Sequence, residues 1–161
     1  MQDLGRVEKS ADGRYAIRFT RHFEATTAEV WAALTERDTL EAWLGRMTYE
    51  PRPGSELSID FGKDGVVRGK LLAFVPKRLL EFTWSESGDE ADPSVVRFEL
   101  FVAESGTRLE LSHSRQSLAM ARDTSAGWHA TLELLRGLLA GKLPAWNDVY
   151  PPARTLYEGV V

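Results

Sequence analysis

The sequence predicts an α+β fold, a curved antiparallel sheet of about six strands around a long C-terminal helix, with two short helices after the first strand. Three observations carry this expectation. Through the middle of the chain, segments that alternate apolar and polar residues follow one another across short turns. Strands in such runs pair antiparallel, because short turns cannot make the crossovers a parallel sheet requires. From Met120 to Ala140 the periodicity changes to helical, with Trp128, Leu132, Leu135 and Leu139 on one stripe.

The elements follow in order. The first 13 residues read as a flexible lead-in. Arg14–Glu24 alternates with Tyr15, Ile17, Phe19 and Phe23 at the apolar positions, giving a strand with one buried face. Thr26 and Glu29 have the spacing of a capping box, each side chain satisfying a backbone donor at a helix start. Thr35 and Asp38 repeat it for a second helix with Leu40, Trp43 and Leu44 as its stripe, and Gly45 is placed to end that helix. Strands are expected at Glu56–Phe61, Val66–Val75, Leu79–Ser85, Val95–Ala103 and Thr107–Ser114, with turns at 62–65, 76–78 and 104–106. Both faces of 66–75 are mixed, so its inward face is left open. An acidic exposed loop spans Glu86–Pro93. Gly141 fits a helix C-cap, and the aromatic tail from Lys142, with Trp146, Tyr150 and Tyr157, folds back through one short terminal helix. A single domain over residues 1–161 accommodates all of this.

Composition narrows function mainly by exclusion. Apolar residues make up 43% and charged residues 27%, with a formal net charge of −4. There is no basic surplus to drive nucleic-acid binding. Cysteine is absent, which removes disulfides, thiolate nucleophiles and thiolate-ligated metals. No apolar run is long enough for membrane insertion, and the polar start does not read as a signal peptide, so a cytoplasmic location is expected. His22, His113 and His129 stand apart with no metal-ligand spacing, so neither a metal nor a cofactor is expected. Phosphate-binding loops and nucleophile-elbow motifs are also lacking.

Several segments together resemble a known group. The run Phe23–Thr35 (FEATTAEVWAALT) is similar to the opening of the START-like, or SRPBCC, superfamily of Bet v 1-like helix-grip proteins. Within it, Leu40–Leu44, Gly69–Leu79 with its Pro-Lys-Arg turn, Phe82–Trp84, Thr107–Ser114, and Gly127-Trp128 opening the long helix resemble the activator of Hsp90 ATPase homolog 1-like group. The likeness covers roughly residues 15 to 150. It implies a helix-grip fold with an interior pocket for apolar or amphipathic molecules. It fixes no activity, since such folds serve carriers, cyclases, receptors, resistance proteins and co-chaperone modules.

Strand parity nominates the wall of such a pocket. Leu111 and His113 share a face, as do Phe82 and Trp84; Trp43 and Trp128 join them from the helices, and Leu132 lies one turn beyond Trp128. Trp43, Phe82, Trp84, Leu111, His113, Trp128 and Leu132 are therefore the candidate ligand-binding set; a catalytic residue is not assigned. Aromatic walls give broad contact area, although ordinary core packing accounts for each residue singly. His113 could orient a ligand or move a proton near neutral pH, or simply be bonded at the rim. Arg68 and Lys70 would suit an anionic head group if they faced inward, and otherwise belong to a solvated outer face.

The expected function is binding of a small hydrophobic or aromatic molecule. A cyclase-like or aromatase-like enzyme using the same cavity is the alternative, and a co-chaperone-type interaction module ranks third. A homodimer is the further partner expectation.

Overall fold

The structure is a computed structural model that describes residues 4–86 and 92–158. Its strands are β1 (Arg6–Lys9), β2 (Tyr15–Phe23), β3 (Arg46–Thr48), β4 (Glu56–Asp60), β5 (Val66–Val75), β6 (Leu79–Trp84), β7 (Ser94–Ala103) and β8 (Gly106–Gln116). The helices are α1 (Thr27–Thr35), α2 (Arg37–Trp43), α3 (Leu118–Leu139) and α4 (Trp146–Leu156). One eight-stranded sheet runs β1-β2-β8-β7-β6-β5-β4-β3, with every pairing antiparallel.

The architecture is the expected α+β one, but eight strands replace about six. The two additional strands form the sheet's edges. Residues 6–9 of the expected lead-in pair with β2, Val7 opposite Ile17. Residues 46–48 pair with β4, Met47 opposite Ile59. The short helices consequently follow the second strand, not the first. Edge strands this short bury one side chain or less, so they leave little apolar periodicity in the sequence.

The helix starts differ in how they are capped. Thr26 and Glu29 form the expected capping box. At α2 no box forms, because the Thr35 hydroxyl donates to Trp31 O at 2.7 Å within α1 and Glu36 alone joins the two helices. Gly45 does follow α2, but outside the left-handed region. Its role is close approach, since a Cβ there would stand 2.9 Å from Ile59 Cγ2. Gly141, at φ +79°, closes α3 in the expected way: Lys142 N–H reaches Gly137 O and Gly141 N–H reaches Leu138 O. Gly127-Trp128 lies well inside α3, which starts at Leu118 behind the Ser117 cap.

β5 settles the face that the sequence left open. Its first half pairs with β4 and its second with β6, with a register shift between Leu71 and Ala73. Val67 and Leu71 point inward, while Arg68 and Lys70 are exposed on the outer face. The irregularity falls where the strand passes from pairing with β4 to pairing with β6, and an irregularity of this kind bends a strand and helps its sheet to curl. That curl encloses a continuous core running from Ile17 and Phe19 through Phe82 and Leu111 to Leu132 and Leu135. The expected acidic loop falls largely on 87–91, outside the described residues. Among the described residues no helix is long and apolar enough to cross a membrane.

Candidate functional site

The inner face of the sheet brings Trp84, the last residue of β6, beside Ser94 at the start of β7 and His113 near the end of β8. Trp128 descends onto them from α3. Trp84 packs 5.2 Å from His113 and 5.6 Å from Trp128 between ring centroids, and Phe98 meets Trp128 at 5.8 Å. Trp43 closes the cluster edge-on to Phe98, and its indole N–H donates to Ala33 O at 2.8 Å.

His113 is fully buried and both of its nitrogens are engaged. Trp128 Nε1–H donates to Nδ1 at 2.9 Å. Because an indole nitrogen only donates, Nδ1 carries no proton and the neutral ring holds its proton on Nε2. Nε2–H then donates to Ser94 Oγ, 2.8 Å away, and the Ser94 hydroxyl donates to Trp84 O at 3.0 Å. Burial pushes the His113 pKa down to about 3, so the ring stays neutral at ordinary pH.

A second buried network, which the sequence did not suggest, lies on the other side of α3. His129 Nδ1 accepts from Arg21 Nη2 at 3.4 Å and lies 2.8 Å from Tyr157 Oη, which itself accepts from Gly5 N at 2.7 Å. Burial, and then the Arg21 charge, lowers the His129 pKa, with Glu133 opposing. This network ties β2, α3, the C-terminal end of α4 and the residue preceding β1.

Open space appears where α2, the β4–β5 turn and the N-terminal end of α4 surround α3. One recess of about 200 Å³ is walled chiefly by Leu44, Phe61, Trp84, Trp128, Thr131 and Trp146. A wider one of about 540 Å³ shares Leu44, Phe61, Thr131 and Trp146 with it, and adds Trp43 and a polar rim. Trp146 is 43% exposed and stacks on Tyr150 at 5.0 Å. The buried Trp84 indole N–H has no hydrogen-bond partner among the described residues.

Of the candidate residues, Trp84 and Trp128 wall the smaller recess and Trp43 the wider one. Phe82, Leu111, His113 and Leu132 are fully or almost fully buried behind them and line neither. Leu44, Phe61, Thr131 and Trp146 complete the walls. The sequence offered Leu44 and Phe61 only as stripe and strand residues, and Trp146 only as one aromatic of the tail. Among the described residues no group of three or more His, Cys, Asp or Glu side chains could hold a metal ion.

The profile of Activator of Hsp90 ATPase homolog 1-like proteins matches residues 24–140. The chain belongs to that family. Its fold is accordingly that of the START-like superfamily, and solved relatives share it along most of their length. A protein encoded by gene BPP1335 of Bordetella parapertussis is 30% identical at TM-score 0.75, over 99% of this chain and 93% of that one. CalU16 from Micromonospora echinospora is 22% identical at TM-score 0.78, over 99% and 96%. The Aha1 dimer of Colwellia psychrerythraea is 19% identical at TM-score 0.66, over 77% and 95%. No curated protein matches the chain.

Proposed function

We propose that this family member binds a small, largely apolar molecule in the recess between α2, the β4–β5 turn and α3, rather than in a cavity sealed within the grip. The observation that carries the reading is the wall itself. Phe61, Trp84, Trp128 and Trp146 surround open space from four different elements, while Phe82, Leu111, His113 and Leu132 are buried behind them and line neither recess. Rigid aromatic surfaces around a concave opening give a ligand large contact area at small entropic cost. The two recesses together have the scale of a small-molecule site.

The enzymatic alternative finds little support at His113. A base that activates a hydroxyl needs an accepting nitrogen, yet Nε2 donates to Ser94 and Trp128 holds the opposite tautomer in place. Neither recess is lined by His113. Self-association rests on the Colwellia relative alone, and light scattering on the purified protein decides it.

The binding reading is tested with a panel of aromatic and alicyclic compounds, read by thermal shift and intrinsic tryptophan emission. A true ligand at saturating concentration should raise Tm by about 5 °C or more and change the emission together with it. A panel in which no compound moves either signal would sink the proposal.

A further inference from the structure

The charges around the recess narrow the chemistry of its ligand; this step rests on the binding reading above. Glu41, Asp60 and Asp64 stand on the wider opening and Asp123 on the narrower one, against the single guanidinium of Arg46. Arg46 is already committed. It bonds Glu41 at 3.0 Å and is the cross-strand partner of Asp60. Asp64 and Asp123 form no ion pair among the described residues, and the neighbouring Lys63 is not part of the wall. The lining is therefore negative on balance, and two of its carboxylates, one on the β4–β5 turn and one on α3, have no ion-pair partner among the described residues, although Asp123 also borders a recess that contains Arg122 and Arg154.

The walls add to this. Trp84 is 7% exposed and forms part of the inner wall beside Trp128 and Trp146. Tryptophan faces also attract cations, so walls and rim favour the same sign of charge.

We propose that the recess takes an aromatic amine: a planar ring system against Trp84, Trp128 and Trp146, with its ammonium group at the carboxylate rim. Three probes with the same ring and different charge separate this from the general reading. These are 1-naphthylmethylamine, 1-naphthylmethanol and 1-naphthylacetate, titrated calorimetrically into the whole protein at low salt. The amine should bind about 10-fold more tightly than the acetate, and raised salt should narrow the gap. The double variant Asp64→Asn, Asp123→Asn, which changes only exposed side chains, should bring the amine down to the affinity of the alcohol and leave the alcohol unchanged. Binding of the alcohol or acetate as tightly as the amine would overturn the charge assignment while leaving the pocket standing, as would a preference that survives the double variant. Failure of all three probes would instead remove the pocket, and the charge assignment with it.

Discussion

The aromatic cluster around His113 and the one around Trp146 share Trp84 and Trp128, yet they are built differently. Around His113 a chain of hydrogen bonds joins the elements: Trp128 N–H to Nδ1, Nε2–H to Ser94, Ser94 O–H to Trp84 O. Around Trp146 the rings border open space. Hydrogen-bonded groups in a packed interior fix a structure, whereas apolar rings beside open space leave room for a guest. The tryptophans thus have a sealed side and an open side, and variants on the two sides should give opposite profiles.

The largest effect is expected on the sealed side. His113→Ala removes a buried ring, leaves a void and strands the Trp128 N–H, so it should cost about 3 to 5 kcal/mol in denaturant unfolding. Trp128→Phe keeps most of the aromatic surface but deletes the donor, and should cost about 1 to 3 kcal/mol. A cost below about 1 kcal/mol for His113→Ala would mean that the hydrogen-bonded chain is not the structural unit described.

Acid should reveal the same side with a smaller effect. His113 is held at about 3, well under its ordinary 6.5, so the folded state does not take up the proton that the unfolded state accepts. Stability is therefore complete above about pH 6.5 and declines as pH falls from there toward 3, by at most about 1.4 kcal/mol per pH unit for one histidine. His129 is shifted in the same direction and adds the same sign. Urea midpoints between pH 6.5 and 5, a range above most carboxylate titration, should slope downward with acid. His113→Gln should flatten the slope by its share, and an undiminished slope in that variant would place the proton uptake elsewhere.

How much of this was legible depended on periodicity. β2, β4 and β8 alternate cleanly because one face is buried along their length, and their bounds are found nearly as expected. β1 and β3 were not legible, because Val7 and Met47 are single apolar residues in short edge strands. Parity within β5 was unreadable for another reason: the bulge at Leu71–Ala73 breaks the alternation that parity relies on. Parity placed His113 and Trp84 inside, but it could not distinguish lining a space from filling one. That difference is set by what stands opposite, namely Ser94, Trp128 and Phe98 around His113, and open space between Trp84 and Trp146. Trp146 itself opens α4, the short terminal helix expected for the tail, but Pro151 and Pro152 inside that helix left its bounds, and so the place of Trp146, unreadable.

Those prolines bear on the smallest stability effect, expected on the open side. They leave the carbonyls of Asn147 and Asp148 without their usual intrahelical donors, so the first turns of α4 are only weakly held by the helix itself. The other end of α4 is anchored, through Tyr157 to His129 and Gly5 and through the buried Ala153. Trp146 thus stands at the loosely held end, half in solvent, with Tyr150 as its stacking partner. Trp146→Ala should cost about 1 to 2 kcal/mol of unfolding stability, well below His113→Ala, because nearly half of its surface stays in water and no hydrogen bond among the described residues depends on it. Ligand affinity should fall about 10-fold in the same variant, since a bound ring would lose one of its aromatic walls. His113→Gln should do the reverse, costing stability while leaving the affinity of the remaining folded protein close to wild type. If both variants lose stability and affinity together, the sealed and open sides form one cooperative unit, and the recess depends on the packing of the core behind it.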